Sequence, residues 1–339
     1  MSSNKIIIIA SRGSALALAQ TNLIRTQCAQ LFKNLRFEIK IIKTTGDKLQ
    51  TLQPDPQEAL SKGLFTKEIE DAILNKEADF AVHSLKDLPT ELPDGLLLGA
   101  TPRRQDVRDV LIYRSRQLVE THLASAHQQD WVPGSKKMQG FPSHLLMKKL
   151  PAGATVGTSS TRREAQLRFA VPGIKTIPIR GNVGTRIQKL HDNPEFDAIL
   201  LAAAGINRLG FRVNAQGGLT GQGVPPGLLL SYIDPTEMLP CVGQGSLGIE
   251  MRNDDETVAK ICAQLNHIPT QLAVTAERAF LRAMGGGCQS PVGAYARVLG
   301  HKLEMSVVGF KDGYRSAQGS RPMKEAIQLG EDLAKKILA

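Results

Sequence analysis

The chain has 339 residues, of which 42% are hydrophobic and 22% are charged, as in ordinary folded globular proteins. Lys and Arg outnumber Asp and Glu by 42 to 32, which gives a formal net charge of +10. The length exceeds what one hydrophobic core usually serves and indicates two or three domains. The apolar run Ile6–Ala10 is too short for a membrane-spanning helix or a signal peptide, so we expect a cytoplasmic protein.

The four cysteines lie far apart, with no CxxC pair and no Cys/His cluster of metal-ligand spacing. Neither a metal site nor a disulfide framework is therefore expected. The positive charge leaves nucleic acid, a membrane surface or an acidic small molecule as possible partners. Aromatic residues make up only 4% of the chain and no block of Lys and Arg occurs, which disfavours nucleic acid. A small polyanionic ligand is the favoured partner.

Strand and helix signals alternate through the first hundred residues. The apolar run Ile6–Ala10 predicts a buried strand that leads through a Ser/Arg/Gly turn, 11–14, into a helix. The alternating segment Phe37–Lys43 predicts a second strand. Apolar residues at helical spacing in Phe65–Ile73 precede a short third strand, Phe80–Val82. This order is typical of βαβ units with a largely parallel sheet.

The same order repeats from residue 154. Strand Ala154–Gly157 leads into the turn Thr158–Arg163 and a helix, and strand Ile174–Ile179 leads into Arg180–Asn182. The segment Asp197–Leu201 then follows a helix, as the third strand of the first half does. Two similar α/β domains are therefore predicted. Because ligands bind outside the carboxyl ends of such strands, we expect these loops to line a cleft between the domains.

Two regions fall outside the repeat. Ser115–Leu150 is polar and mixed, and we interpret it as an insertion or mobile excursion. The amphipathic helix Gln271–Met284 ends at three glycines, and strands within Val292–Arg315 and a helix over Met323–Leu338 follow it. A small α+β domain is expected there. The predicted domains are 1–105 with 245–265, 106–240 with the insertion near 115–150, and 268–339.

Several strand-to-helix turns combine arginine with hydroxyl residues. Such turns suit carboxylate or phosphate, because helix N-termini present free N–H groups and the guanidinium fork binds these anions in bidentate fashion. The alternative is that Ser and Thr only cap helices while the arginines lie in water. Recurrence in both halves favours anion binding. The residues are Arg12 with Ser14, Thr158, Ser159 and Ser160 with Arg162 and Arg163, and Arg180 with Arg186.

The loop His83–Pro89 follows a strand and carries several reactive side chains. Asp87 is a candidate general acid or electrostatic stabiliser, and Lys86 a Schiff-base amine or anion ligand. Ser84 beside His83 imitates a hydrolase pair, but the GxSxG elbow is absent and hydrolysis by serine is not expected. A solvated Lys–Asp pair on the surface is the alternative.

Two glycine-rich segments carry different expectations. Gly243–Gly248 fits GxGxxG but has no clear strand before it, so we interpret it as a packing and turn segment. Cys288 follows Gly285–Gly287, which lets a large group approach its sulfur and favours a covalent attachment or nucleophile role. The alternative, a small buried hydrophobe, is what we expect for Cys28, Cys241 and Cys262.

Six long segments then combine into one pattern. They are VHSLKDLP (82–89), VGTSSTRREAQL (156–167), IRGNVGTR (179–186), LAAAGINRLG (201–210), LPCVGQGSLGIE (239–250) and AERAFLRAMGGGCQSP (276–291). In this order, over nearly the whole chain, they resemble the porphobilinogen deaminase family, also called hydroxymethylbilane synthase. The resemblance implies two similar α/β domains of the periplasmic-binding-protein type facing a cleft, plus a small α+β C-terminal domain that carries the cofactor cysteine.

The resemblance also implies an activity and a site. A transferase of heme and tetrapyrrole biosynthesis would condense four porphobilinogen molecules head to tail on a covalent dipyrromethane cofactor, release ammonia and yield the linear tetrapyrrole hydroxymethylbilane. The cofactor would be joined by a thioether to Cys288, and Asp87 would be the catalytic residue. The other implied cofactor-binding residues are Ser84, Lys86, Thr158, Ser159, Ser160, Arg162 and Arg163. The implied substrate-binding residues are Arg12, Ser14, Arg180, Arg186 and Arg208, with no metal.

A non-catalytic anion receptor of the solute-binding-protein type is the alternative, since such receptors also use two facing α/β domains with arginine-rich turns. A receptor has no need of the Lys86–Asp87 loop together with a Gly-flanked Cys288, so we expect the enzyme, as a monomer. Segments 115–150 and 211–230 look longer than in typical family members. Thr161 and Ser290 replace usual family residues outside the matched catalytic positions.

Overall fold

The computed structural model describes residues 5–45, 66–125, 138–287 and 290–339, and its chain divides into two compact units. The first unit comprises Met1–Val107 and Pro240–Ala339, and the second comprises Arg108–Leu239. The chain therefore crosses from one unit to the other twice.

The described residues form the following elements. The strands are β1 (Lys5–Arg12), β2 (Leu35–Ile42), β3 (Phe80–Ser84), β4 (Leu96–Ala100), β5 (Asp109–Arg114), β6 (Thr155–Gly157), β7 (Lys175–Ile177), β8 (Ala198–Ala202), β9 (Arg212–Val213), β10 (Leu219–Thr220), β11 (Leu228–Ile233), β12 (Leu247–Arg252), β13 (Val292–Leu299), β14 (Lys302–Gly309) and β15 (Arg315–Pro322). The helices are α1 (Ala15–Leu31), α2 (Lys67–Leu74), α3 (Arg116–Ser125), α4 (Thr161–Ala170), α5 (Val183–Asp192), α6 (Ala203–Arg208), α7 (Glu256–Leu265), α8 (Ile268–Ala283) and α9 (Ala326–Leu338).

The first unit is built on a five-stranded sheet of order β2-β1-β3-β12-β4. Strands β1, β2 and β3 run parallel, and β12 is antiparallel to both of its neighbours. Ile7 and Ile9 of β1 are fully buried in a core that also contains Cys28 of α1 and Cys262 of α7. The alternating burial of β1 arises because successive side chains point to opposite faces of the sheet. The predicted βαβ order is confirmed, with Phe65 lying outside the described residues.

The second unit repeats this sheet. Its order is β7-β6-β8-β5-β11, with β6 parallel to β7 and β8, and with β5 antiparallel to β8 and β11. In both sheets the antiparallel strand comes from the chain that has just crossed from the other unit. The prediction of two similar α/β domains is confirmed.

The C-terminal part of the first unit is a small α+β structure, as predicted. Strands β13, β14 and β15 form an antiparallel sheet whose apolar residues pack with α8 and α9 around Phe280, Leu303 and Leu333. The terminal helix begins at Ala326 after a short 3₁₀ turn, three residues later than predicted. The division into three domains stays a prediction, because contacts join 240–339 to 1–107 as one unit.

The buried ion pair Arg104–Glu277 ties this C-terminal part to the rest of the first unit. Two guanidinium nitrogens of Arg104 lie 2.6 and 3.0 Å from the Glu277 carboxylate, which is fully buried. The same carboxylate accepts from the backbone N–H groups of Gly243 at 2.8 Å and Ala296 at 2.9 Å. One acid therefore joins four segments of the chain.

The structure corrects one expectation about the insertion. The segment 138–150 is not a polar surface excursion, because Phe141, Leu145, Met147 and Leu150 are buried in the core of the second unit. The Phe141 ring packs edge-on against Tyr113 with centroids 6.0 Å apart. The middle of the predicted insertion, 126–137, lies outside the described residues. No helix in the described ranges is long and apolar enough to cross a membrane.

Candidate active site

The turn that carries Asp87 follows the central strand β3 of the first unit. Residues Leu85–Asp87 form one turn of 3₁₀ helix. Leu85 and Leu88 are buried and pack against Val274 of α8, whereas Lys86 is half-buried and Asp87 is exposed. The two leucines therefore anchor the turn and leave the carboxylate of Asp87 facing solvent.

Two other segments of the first unit hold this turn in place. The Leu85 N–H donates to the Ser246 carbonyl at 3.0 Å. Gly243 has φ +71°, and a Cβ there would lie only 3.3 Å from the Lys86 nitrogen, so only glycine fits without strain. The interpretation of Gly243–Gly248 as a packing and turn segment is thereby supported.

Arg278 of α8 also binds the chain directly after Asp87. Its guanidinium donates to the carbonyls of Leu88 at 3.2 Å and Pro89 at 2.6 Å. Helix α8 runs on to Ala283 and gives way to Gly285, which has φ +66°, three residues before Cys288. Cys288 itself lies outside the described residues. The helix that leads to the predicted attachment cysteine is thus clamped to the turn that carries Asp87.

His83 and Ser84 have different partners, so they do not form a nucleophile–base pair. The Ser84 hydroxyl is 2.8 Å from Nε2 of Gln20, on α1. His83 Nε2 lies 2.9 Å from Glu250 Oε2 on β12, and both side chains are buried. The expectation that serine does not act as a hydrolase nucleophile agrees with this geometry.

Glu70 of α2 joins His83 and Glu250 in this buried group. Burial raises the pKa of Glu70 above its ordinary value, and the Glu250 carboxylate adds to that rise, while Thr66 and His83 oppose it. No local sequence pattern indicates this group, since its members are far apart in the chain.

Arg12 and Ser14 lie where β1 gives way to α1. Arg12 is the last residue of the strand and is half-buried. Ser14 is the N-cap of the helix, and its hydroxyl accepts from the Ala17 N–H at 3.3 Å. Ser14 therefore caps the helix, which is the alternative interpretation of such hydroxyl residues. The N-terminus of α1 carries the positive end of the helix dipole and lies next to Arg12 in the chain.

In the second unit, the turn Thr158–Ser160 joins β6 to α4. Ser160 caps the helix and accepts from the Arg163 N–H at 3.4 Å. The Ser159 hydroxyl donates to the Ile179 carbonyl at 2.9 Å and lies 3.1 Å from the Ile179 N–H. Ser159 thereby joins this turn to the chain just before Arg180, so the carboxyl ends of β6 and β7 meet.

Arg162 and Arg163 are buried and share one acid, Asp109, which is fully buried. Arg162 Nη1 lies 2.8 Å from Asp109 Oδ2, and Arg163 Nη2 lies 2.8 Å from Asp109 Oδ1. Two guanidinium groups thus face one carboxylate. Both guanidinium groups are thereby fixed at the first turn of α4. Asp109 was missed by the sequence analysis because it is 53 residues from Arg162.

The three remaining predicted arginines lie near the carboxyl ends of β7 and β8. Arg180 is exposed, and Arg186 is half-buried with its Nε 2.7 Å from the Gly181 carbonyl. Asn182 caps α5 by accepting from the Thr185 N–H at 2.8 Å. Arg208 is half-buried at the end of α6, which directly follows β8. The second unit therefore gathers cations and two helix N-termini at one edge of its sheet.

Comparison with known proteins decides the family. Residues 7–260 match the family "Porphobilinogen deaminase, dipyromethane cofactor binding domain", and residues 271–339 match its C-terminal domain. The chain belongs to the porphobilinogen deaminase family. Relatives named porphobilinogen deaminase include those of Syntrophobacter fumaroxidans and Chromobacterium violaceum. They are 38% and 41% identical to this chain, cover 99% and 98% of it, and match over 95% and 94% of their own lengths.

Solved structures add little to this assignment. The benzoate-bound effector-binding domain of BenM has a TM-score of 0.38 and 15% identity, over 78% of this chain and 92% of that one.

The donors in place suit the dipyrromethane that the family name states. Such a cofactor carries several carboxylates, and the chain offers hydroxyl and N–H donors at the α4 N-terminus, next to two arginines that face a single acid. Lys86 adds a cation on the first unit. Among the described ranges, no group of three or more His, Cys, Asp or Glu side chains could hold a metal ion.

Proposed function

We propose that the protein is a porphobilinogen deaminase, or hydroxymethylbilane synthase. It condenses four porphobilinogen molecules head to tail, with release of ammonia, to give hydroxymethylbilane. The observation that carries this proposal is the family match across 7–260 and 271–339, together with the Asp87 turn packed against α8, the helix that leads to Cys288. The anion-receptor alternative is not favoured, because the relatives are named for an enzyme.

The dipyrromethane cofactor, bound through a thioether to Cys288, supplies the pyrrole terminus to which new units are added. Its carboxylates would be held by Ser84 and Lys86 of the first unit and by the Thr158–Ser160 turn with Arg162 and Arg163 of the second. Hydroxyl and backbone donors at a helix N-terminus orient carboxylates, and the adjacent cations stabilise their charge.

Asp87 would act at the amine that leaves porphobilinogen. An exposed carboxyl on an anchored turn can donate a proton to that amine as the carbon–nitrogen bond breaks. As a carboxylate it then stabilises the positive charge that develops on the pyrrole ring, which is commonly the larger contribution. Anchoring by Leu85, Leu88 and Arg278 keeps the carboxylate oriented without burying it.

Each porphobilinogen brings an acetate and a propionate, so the growing chain accumulates negative charge. The residues proposed to bind it are Arg12, Ser14, Arg180, Arg186 and Arg208. Arg180 is exposed, and its planar fork suits one carboxylate in bidentate geometry. We further propose a cytoplasmic monomer that acts on this small molecule without a nucleic-acid or membrane partner.

The intact mass of the purified protein tests the proposal. A covalent dipyrromethane gives a fixed mass excess over the sequence, and porphobilinogen turnover releases ammonia. The Cys288→Ser variant should lose both, whereas the Cys241→Ser variant should keep both. A Cys288→Ser protein with normal mass excess and turnover would sink the assignment of the cysteine, and wild-type protein without either would sink the function.

A further inference from the structure

The second unit contains a cavity of about 590 Å³ beside β11, the edge strand of its sheet. Four parts of the chain line it: the chain around His144 and Leu146, Asn207 of α6, the chain from Phe211 to Gly217 that includes β9, and the end of β11. All but Asn207 lie outside the six segments that resemble the family, and no lining residue has a role in the proposed reaction. The cavity is therefore not accounted for by the proposed reaction.

Hydrogen bonds fix the walls of this cavity. The phenol oxygen of fully buried Tyr113 accepts from the Leu145 N–H at 2.8 Å and lies 3.0 Å from the Ser231 hydroxyl oxygen. One buried side chain thus ties the 144–146 wall to β11. The Leu230 N–H donates to the Gly217 carbonyl at 2.8 Å, which ties β11 to the wall that contains β9.

Gly217 contributes space as well as backbone. Its φ is +79°, which favours glycine, and a Cβ there would lie 3.8 Å from His144 Cε1. Any larger side chain would project toward the imidazole. His144 itself has φ +59°, an uncommon conformation for a residue with a side chain.

The lining combines polar and apolar side chains. Arg212 and His144 supply cationic or N–H donor groups, and Asn207 supplies an amide. Leu146, the buried Phe211 and the ring of Tyr232 supply apolar surface. No Asp or Glu is among the residues that line it in the described part of the chain. This combination suits an anion with a flat apolar body.

The Tyr232 ring is held from outside the cavity. The guanidinium carbon of Arg108 lies 4.1 Å from its centroid, a cation–π contact. A ring fixed in this way is a ready stacking surface, and stacking on an aromatic ligand costs little further side-chain entropy.

We propose that this cavity binds a small aromatic carboxylate. The carboxylate lies against Arg212, and the aromatic body lies against Phe211, Leu146 and Tyr232. The volume of about 590 Å³ falls within the range of small-molecule sites and exceeds what a lone inorganic anion needs.

The probe is indole-3-acetate. Its binding to the purified full chain is measured by calorimetry and by ligand-observed NMR. Three variants accompany the wild type. Arg212→Gln removes the charge, and Leu146→Trp fills the cavity from a side chain that is 56% exposed, so folding tolerates it. Arg168→Gln is the matched control, because Arg168 is an exposed arginine of α4 in the same unit, away from the cavity lining.

The expected result is saturable binding that weakens about tenfold in Arg212→Gln, disappears in Leu146→Trp and is unchanged in Arg168→Gln. The neutral amide, indole-3-acetamide, should bind the wild type no more tightly than indole-3-acetate binds the Arg212→Gln variant. No binding to the wild type at millimolar ligand overturns the proposal, as does equal affinity in wild type and Leu146→Trp, which would place the anion among the other arginines. Binding needs no turnover, so the result is independent of the proposed function.

Discussion

The two α/β sheets have the same strand order but hold different charges at their carboxyl edges. In the first unit the central strand β3 ends in an anchored turn with an exposed acid, Asp87. In the second, the equivalent edge gathers arginines, two of which share the buried Asp109. The same strand order therefore carries an exposed acid at one sheet edge and arginines at the other, and the proposed function gives each edge its own task.

The two units also differ in the guanidinium partners of their buried acids. In the first unit Glu277 faces one guanidinium, that of Arg104, and two backbone N–H groups. In the second, Asp109 faces two guanidinium groups. Each buried acid is thus both ion-paired and hydrogen-bonded or bound by two cations, and removing either acid leaves buried guanidinium groups without that partner.

The largest expected effect follows from removing the acid shared by two arginines. Asp109→Asn should lower the free energy of unfolding by about 3–5 kcal/mol, because two buried guanidinium groups lose their carboxylate. Urea unfolding measures it. Glu38→Gln is the control, since its ion pair with Arg36 is exposed (69% and 47% for the two side chains) and should change stability by under about 1 kcal/mol. Similar losses for both variants would show that Asp109 does not hold the arginines.

Asp87, the exposed acid of the first unit, should matter for the reaction rate and not for stability. Asp87→Asn should slow ammonia release about a hundredfold, or about 3 kcal/mol, because an amide neither donates the proton nor stabilises the developing cation. Single-turnover kinetics on cofactor-loaded enzyme measures the rate, and thermal unfolding should be unchanged because Asp87 is exposed. A near-normal rate would remove Asp87 from the mechanism.

Arg180→Lys tests the cationic edge of the second unit. Lysine keeps the charge but loses the bidentate fork, so binding of the growing chain should weaken by about 1 kcal/mol, roughly fivefold. KM should therefore rise, with kcat nearly unchanged. The exposed Lys175→Arg makes a matched control that should leave KM unaltered. A fall in kcat at constant KM would instead give Arg180 a role in the chemical step.

The smallest effect concerns pH. Burial raises the pKa of Glu70, so the native state holds this proton more tightly than the unfolded chain, and stability falls as pH rises from the ordinary glutamate pKa through the raised one. Glu70→Gln should therefore be more stable than wild type at neutral pH, by roughly 1–3 °C in Tm, and equal to it near pH 4. Thermal scans across pH decide it, and an advantage that grows toward acid pH would contradict the sign.

Local patterns in the sequence predicted the strands and helices that position the site. Ile6–Ala10 is a continuous apolar run and Phe37–Lys43 alternates, and β1 and β2 occur there within one or two residues. The partners of the buried ions could not be predicted, because Asp109 and Arg162, or Arg104 and Glu277, meet only through the tertiary fold.

The burial of 138–150 could not be predicted for a related reason. Phe141, Leu145, Met147 and Leu150 follow no strand or extended helix, so their burial has no periodic signature. They are buried because Tyr113 and the neighbouring core offer an apolar surface. The hydrogen bonds of Arg278 to the chain after Asp87 could not be predicted either, since their acceptors are backbone carbonyls that carry no residue-specific signal.

The two sheets are completed at different times as the chain is synthesised, because β5 and β12 each follow a crossing between the units. The second unit, Arg108–Leu239, is one continuous stretch and contains all five strands of its sheet, whereas the first needs β12, which is made only after the second unit is complete. During synthesis the sheet of the second unit can therefore form before the sheet of the first. Until β12 is made, β3 of the first unit has no partner on one side. Exposed strand edges of this kind favour misassembly, so the N-terminal segment is where a chaperone would be needed most.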